Sequence, residues 1–413
     1  MRNDERQTDR KPGRKAEGSG PQRGIAIATI ALFLGVLFIC GILFWILPDK
    51  EKSEQENRML QGLPEWTPKR FFDGDFGNEM NAYYADQFPA RDFLVGVKGS
   101  TEFLLGKGEN NGVLLGKNGQ LAPHLFTAYM QDGTVVQDTD SFDPDTVLAG
   151  CDAVLRLRTS LAEKGIPLTV LLPPRTIDVA ASAFSFPTEG SDALHDAVYG
   201  HLTGEGVIDM TAFFRQKYDA GEYVYYRTDH HWTTRGAYYA YLSLMESFGM
   251  SEQVLPADDF SVRQVPGFYG TAWSRAGFKF VESDTLELWM RGNESEFVVR
   301  DEKTGQNFSG FYNLELLEQK DKYAAFFDGT HGVLTVTKTG GEKRERLLIV
   351  KDSFANSVMP FLAQHFDLVV LNLSGSGDET RVSRYCEEYQ CDRVLLLYNV
   401  ENVVSSPRLS RVK

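Results

Sequence analysis

The sequence predicts an α/β protein: a three-layer sandwich of parallel strands between helices, with a β-rich insertion and one transmembrane helix at the N-terminus. Three observations predict it. Continuous apolar runs recur in "PLTVLLPP", "GVIDM", "RLLIVKDS", "FDLVVLNLS" and "DRVLLLYNV", and unbroken runs suit strands covered on both faces. Segments with helical spacing and capping residues separate them. Residues 24–47, "GIAIATIALFLGVLFICGILFWIL", run for twenty-four residues without a charge, enough to cross a hydrocarbon core of about 30 Å.

The elements follow in chain order. Residues 1–23 carry seven Lys/Arg against four acids. Positive charge stays on the cytoplasmic side, so this tail is expected inside, polar and disordered. The apolar run is longer than a signal-peptide core and ends in "FWILPDK" rather than a small-residue cleavage site, which reads as an uncleaved signal anchor. Its own helix thus makes the membrane a partner. Residues 48–66 form a charged linker, and residues 67–413 an extracytoplasmic domain. The formal net charge of −14 becomes −17 once the basic tail is set aside. That acidity argues against nucleic acid held by charge attraction and suits a neutral glycan or a small ester.

Apolar positions from Thr67 to about Gly106 recur at helical spacing, interrupted by "DQFPARD", where Pro89 biases Phe88 away from helix. Two helices are expected. In "GVLLGKNGQLA" the Asn118-Gly119 pair predicts a tight hairpin. Asp143 caps and Pro144 opens the next helix, which Gly165 ends. A strand is expected at "EYVYY", and another through Val350 is followed by a helix carrying Phe354, Val358, Phe361, Leu362 and Phe366. Residues 252–345 read as meandering β structure inserted over one end of the sheet. Cys40 lies in the membrane run. Cys151, Cys386 and Cys391 are an odd number with no zinc-motif spacing, and Cys386 and Cys391 are either a bridge or two thiols.

Two stretches carry chemistry. In "YYRTDHHWTTRGAYY", two of the chain's seven histidines are adjacent. Residues two apart in an extended segment share a face, so Asp229 can steer His231 while His230 points away. Thr233 or Thr234 caps the following helix. In "RLLIVKDSFANS", Ser353 stands at a strand-to-helix turn, where open α/β sheets bind ligands and the first helical N–H groups can hold an oxyanion. A helix cap is the structural alternative for Ser353. Asp352 is expected to point elsewhere, Asn356 and Ser357 to offer donors to substrate, His331 to bond a loop carbonyl, and His365 to be structural.

Together "TDHHWT" and "KDSFANS" resemble the bacterial DHHW protein family, which is related to the SGNH-like domain of AlgX/AlgJ-type alginate O-acetyltransferases. "SEQENRML", "DQFPARD", "FYGTAWSRAG" and "DKYAAFFDGTHGVLTV" agree with it, over roughly residues 50–405. The resemblance implies an SGNH-hydrolase-like fold and a triad in which Asp229 orients, His231 is the base and Ser353 the nucleophile. It further implies a polysaccharide acceptor and a polytopic membrane O-acyltransferase as acyl donor. Lys351 and His230 fill positions where that pattern differs. Glycan affinity would fall to the domain's own cleft, at Tyr269, Trp273 and Arg275. No cofactor is expected. Three readings compete: acyl transfer or hydrolysis on a cell-surface glycan, a metal site at Asp229, His230 and His231, and a non-catalytic glycan-binding scaffold.

Overall fold

The computed structural model describes residues 20–53, 58–124, 126–129, 135–139, 142–185, 191–204, 206–373, 382–405, 409 and 412. The predicted tail, residues 1–23, lies mostly outside the described residues. The chain divides into two compact units, residues 1–53 with 58–93 and residues 54–57 with 94–413.

In the first unit a helix, Gly20–Ile46, is long and apolar enough to cross a membrane. Beyond it Thr67 caps a short helix, Pro68–Phe72, and a third helix spans Asp75–Asp86. Phe44 packs on Tyr83 and Tyr84, with ring centroids 5.6 and 5.4 Å apart, and the Tyr83 hydroxyl donates to Asp49 at 3.0 Å. Another helix, Arg91–Leu104, follows. The stretch expected to form two helices therefore forms three. Gly74, at φ 87°, separates the first two, a left-handed conformation that glycine adopts without strain.

The second unit is built on an eight-stranded sheet. Its spatial order is Asn307–Ser309, Phe297–Asp301, Val333–Lys338, Asp367–Asn372, Arg346–Lys351, Arg393–Leu397, Leu168–Leu171 and Val207–Ile208. The last five are mutually parallel, and the first three run antiparallel to their neighbours. The β-rich region 252–345 thus continues the sheet at one edge, and a separate hairpin pairs Ser261–Phe268 with Asp284–Met290. The short hairpin turns at Asn118 and Gly119, both at positive φ, with Leu115 opposite Leu121.

Alternation along the central strands divides the core. Leu347 and Ile349 join one buried layer with Leu395 and Leu397, whereas Leu348 and Val350 join the opposite layer with Val394 and Leu396. Helix Pro144–Ala162, capped by Asp143, supplies Val154, Leu157 and Leu161 to the second layer. Helix Thr234–Ser247, capped by Thr233 on the Gly236 N–H, supplies Ala237, Tyr241 and Leu244 to the first. Cys386 and Cys391 are unbridged thiols.

Two expected elements differ. "EYVYY" makes no strand: its backbone is used across its own loop, Tyr226 N–H to His231 O at 3.1 Å and Thr233 N–H to Val224 O at 2.9 Å. The aromatic side chains of Tyr225 and Tyr226 are fully buried, so the strand-like texture reports burial rather than ladder pairing. After Lys351 the chain forms a 3-10 turn, Ser353–Ser357, and only then one α-helical turn, Met359–Leu362. Pro360 accounts for the break, because its ring would clash with the Asn356 carbonyl in a continuous α-helix.

Candidate active site

Three strand ends converge below the site. Asp352 caps the 3-10 turn through Phe354 N–H at 3.0 Å, and its other oxygen accepts from Asn399 N–H at 2.6 Å and Asn402 Nδ2 at 2.8 Å. The cap is therefore Asp352, and Ser353 is left half-buried with its hydroxyl directed elsewhere. Burial raises the Asp352 carboxyl pKa against these donors, which lower it.

The Thr228–Trp232 loop is held from two sides. Asp284 accepts from Arg227 N–H at 3.1 Å, Thr228 N–H at 2.8 Å and Thr228 Oγ1 at 2.5 Å. Trp232, fully buried, donates its indole N–H to Phe354 O at 3.1 Å and Ser357 Oγ at 3.0 Å. Those two bonds fasten the loop directly to the Ser353 turn, 122 residues away.

The result is a linear chain of hydrogen bonds. Asp229 Oδ1 accepts from His231 Nδ1 at 2.5 Å and from His231 N–H at 3.0 Å. His231 Nε2 lies 2.7 Å from Ser353 Oγ. With Nδ1 donating to the carboxylate, Nε2 is the acceptor for the serine hydroxyl. Burial would raise the Asp229 pKa, but His230, His231 and the Thr271 N–H overcome it and hold the group ionised. His231 is 5 % exposed and stacks on Tyr323, centroids 4.2 Å apart and 9° from parallel. The Tyr323 hydroxyl donates to Ser353 O at 3.1 Å. The Ser353 N–H meets no acceptor among the described residues.

Asp229 Oδ2 is held by Thr271, whose N–H donates at 2.8 Å and whose hydroxyl donates at 3.1 Å. Gly270, just before, lies so close that a Cβ there would sit 2.2 Å from both Asp229 Cβ and Oδ2. Gly270→Ala is therefore expected to displace the carboxylate by about 1 Å and lower kcat about 100-fold, with about 1–3 kcal/mol lost to overpacking. Steady-state kinetics and thermal melting check this, and unchanged kcat would show that the contact is soft.

His230 lies beside His231, ring centroids 3.9 Å apart, with its Nδ1 2.6 Å from Thr271 Oγ1. Loss of surrounding water and the neighbouring His231 keep its pKa below the ordinary histidine value. The ligand atoms of Asp229, His230 and His231 lie within 4.8 Å of one another. Both His231 nitrogens, however, are engaged in the hydrogen-bond line, one on Asp229 and one on Ser353, rather than converging on one point with His230.

The remaining sequence candidates fall around this line. Tyr269, just before the Thr271–Ala276 helix, and Trp273, on it, pack with centroids 4.3 Å apart and planes tilted by 35°, and Lys279 Nζ lies 3.7 Å over the Trp273 ring. Arg275 Nε donates to Asn111 O at 2.7 Å. Asn356 accepts from the Lys351 ammonium, and Ser357 bonds Trp232 and Tyr323. His331 bonds Asp301 at 2.6 Å and the Asp328 carbonyl at 3.2 Å, and His365 bonds the Tyr241 hydroxyl at 2.8 Å. Sequence reasoning assigned no role to Gly270, Thr271, Asp284 or Tyr323. The first two and Tyr323 lie inside the quoted "FYGTAWSRAG" and "DKYAAFFDGTHGVLTV", so a signal was present without a geometry to interpret it.

Lys351, 3 % exposed, has its pKa lowered to about 8, by burial first. The unfolded chain then binds the extra proton between pH 8 and about 10.4, so stability rises with pH across that window. Relative to Lys351→Met, the wild type is expected to gain about 2–3 kcal/mol from pH 8 to 10. Denaturant titrations at the two pH values check it, and a parallel response of both proteins refutes it.

Residues 206–372 match the model of the DHHW protein family, and residues 135–268 that of the SGNH hydrolase-like domain of the acetyltransferase AlgX. No curated protein sequence matches the chain. Among solved structures, a DHHW family protein from Eubacterium siraeum superposes with a TM-score of 0.55 at 18% identity, over 72% of this chain and 97% of its own. Bacillus cereus PatB1, solved with a sulfonyl adduct, gives 0.58 at 19% identity, over 73% and 98%. The O-acetyltransferase domain of Pseudomonas putida AlgJ gives 0.40 at 14% identity, over 71% and 92%. Residues 206–372 and 135–268 carry the DHHW and AlgX-type sequence patterns, and the helix-flanked sheet has the fold of the first two structures.

Proposed function

We propose that this protein is a serine-dependent O-acyltransferase that places acetyl groups on the hydroxyls of a cell-surface or exported polysaccharide. The observation that carries the reading is the unbroken line from Asp229 through His231 to Ser353, with spacings of 2.5 and 2.7 Å. His231 Nε2 takes the Ser353 proton as Oγ attacks the acyl carbonyl, and the Ser353 N–H faces the oxyanion. The tetrahedral intermediate collapses as the Nε2 proton passes to the departing oxygen, leaving acetyl-Ser353. A sugar hydroxyl then gives its proton to Nε2 and attacks the acetyl carbonyl, and that proton passes to Ser353 Oγ as it leaves, which restores both serine and histidine.

The helix Gly20–Ile46 would anchor the enzyme with its N-terminus in the cytoplasm and its domain outside. There it would draw acyl groups from a polytopic membrane O-acyltransferase, as the DHHW and AlgX resemblance implies. Tyr269, Trp273 and Arg275 lie on the segment that holds Asp229 and would border the acceptor.

The test is to incubate the full chain in detergent micelles with p-nitrophenyl acetate and oligosaccharide acceptors. Acetyl-Ser353 seen by mass spectrometry, and its loss to an added sugar faster than to water, is the expected result. The sulfonyl adduct of PatB1 suggests a second probe, since a sulfonyl fluoride should label Ser353. Acetyl-Ser353 that only water discharges would make the protein an esterase, and no labelling by either reagent would remove the acyl-transfer reading.

A further inference from the structure

Lys351 ends the Arg346–Lys351 strand two residues before Ser353 and is 3 % exposed. Alternation sends its side chain to the face of Ile349, the layer that also holds Phe354 and Trp232. Asp352, adjacent in sequence, engages Phe354, Asn399 and Asn402 instead. The Lys351 ammonium makes one hydrogen bond among the described residues, to Asn356 Oδ1. The neighbouring Asp352 carboxylate acts on the ammonium only through space, and a buried cation whose one hydrogen bond goes to a neutral acceptor is an arrangement that folding stability alone disfavours.

The bond has a directional consequence. An ammonium only donates, so Asn356 must turn its oxygen toward Lys351, and its amide nitrogen must face the other way. That nitrogen has no acceptor among the described residues, in a side chain that is itself buried. Asn356 lies three residues after Ser353 in a 3-10 turn, where residues i and i+3 eclipse. The Asn356 and Ser353 side chains therefore leave the turn on the same side.

We propose that Lys351 is a positioning residue that fixes the Asn356 amide as the second oxyanion donor, beside the Ser353 N–H. The role rests on the acyl-transfer reading. Rotating the amide would put its oxygen against the developing negative charge, and the buried ammonium prevents that rotation. The lysine need not touch the substrate.

The experiment compares Asn356→Ala, Asn356→Asp, Lys351→Met and the Lys351→Met/Asn356→Ala pair in the full chain, with p-nitrophenyl acetate as substrate and thermal melting alongside. Asn356→Asp keeps the Lys351 contact as an ion pair, so its melting temperature should match or exceed the wild type. It lacks the donor, so kcat should fall about 100-fold, as for Asn356→Ala, with KM within threefold. Lys351→Met should lower kcat about tenfold, and the pair should fall no further than Asn356→Ala alone. A merely structural bond would instead leave Asn356→Asp near wild-type kcat, and that result overturns the role, as does a pair whose loss is the product of the singles. Wild type that no ester acetylates overturns the acyl-transfer reading and this role with it.

Discussion

Ser353→Ala is expected to remove acetyl-enzyme formation altogether and lower kcat by about 10⁴-fold or more, with almost no loss of stability. Removing a triad nucleophile leaves only the catalysis supplied by the oxyanion donors and by binding. Among the described residues the hydroxyl makes one bond, to His231 Nε2, whereas the Tyr323 bond is to the Ser353 carbonyl and survives the substitution. His231→Ala should match it in kcat but not in stability. It opens a space against the stacked Tyr323 ring and removes one hydrogen bond to the buried Asp229 carboxylate, a loss of about 1.5–3 kcal/mol for a bond to a charged group. Turnover of an acetyl ester and melting of both variants are the measurements. Activity in Ser353→Ala within tenfold of wild type would place the nucleophile elsewhere.

Asp229→Asn is the second large effect, about 10⁴-fold in kcat by analogy with other triad acids. The carboxylate is acceptor to four donors, two from His231 and two from Thr271. An asparagine has one oxygen to offer and an NH2 group that must face one of the two sets. If the NH2 meets His231, Nδ1 becomes the acceptor and the ring proton moves to Nε2, where it can no longer receive the serine proton. If it meets Thr271, two donors oppose each other and the loop shifts. Either way the line breaks. Loss of the downfield proton resonance of a histidine Nδ1–H on a carboxylate would accompany the rate loss, and kcat within tenfold of wild type would mean that Asp229 does not orient the base.

The pairing of Asp229 with His231 was legible because the two are close in sequence, but for a different reason than extended alternation: the segment bends, and the His231 N–H turns back onto Asp229 Oδ1. Ser353 was legible for a similar reason, since a buried strand followed by a turn places a hydroxyl at a sheet's carboxyl edge. What holds these residues was not legible. Thr271 reaches Asp229 from 42 residues away, and the Tyr323 ring comes to His231 from the β-rich region. Neither contact follows from spacing. The apolar positions Phe354, Val358, Phe361, Leu362 and Phe366 do have helical spacing, yet Pro360 and the Asp352 cap divide the segment into a 3-10 turn and a single α-turn. That division puts Asn356 three residues after Ser353 within a 3-10 turn, which an α-helical reading would not have done. "EYVYY" misled through composition, because its aromatic residues are selected by the core they fill.

The order of the sheet also imposes a schedule. The serine strand Arg346–Lys351 pairs on one side with Asp367–Asn372 and on the other with Arg393–Leu397, which in turn separates it from Leu168–Leu171. As the chain is made from its N-terminus, the loop bearing Asp229 and His231 appears long before the serine, and the strand that joins their two halves comes almost last. A ribosome-bound chain that has already formed Ser353 still has a gap one strand wide through its middle. On the proposed reading, the line from Asp229 to Ser353 is therefore braced only once the strand Arg393–Leu397 has been made.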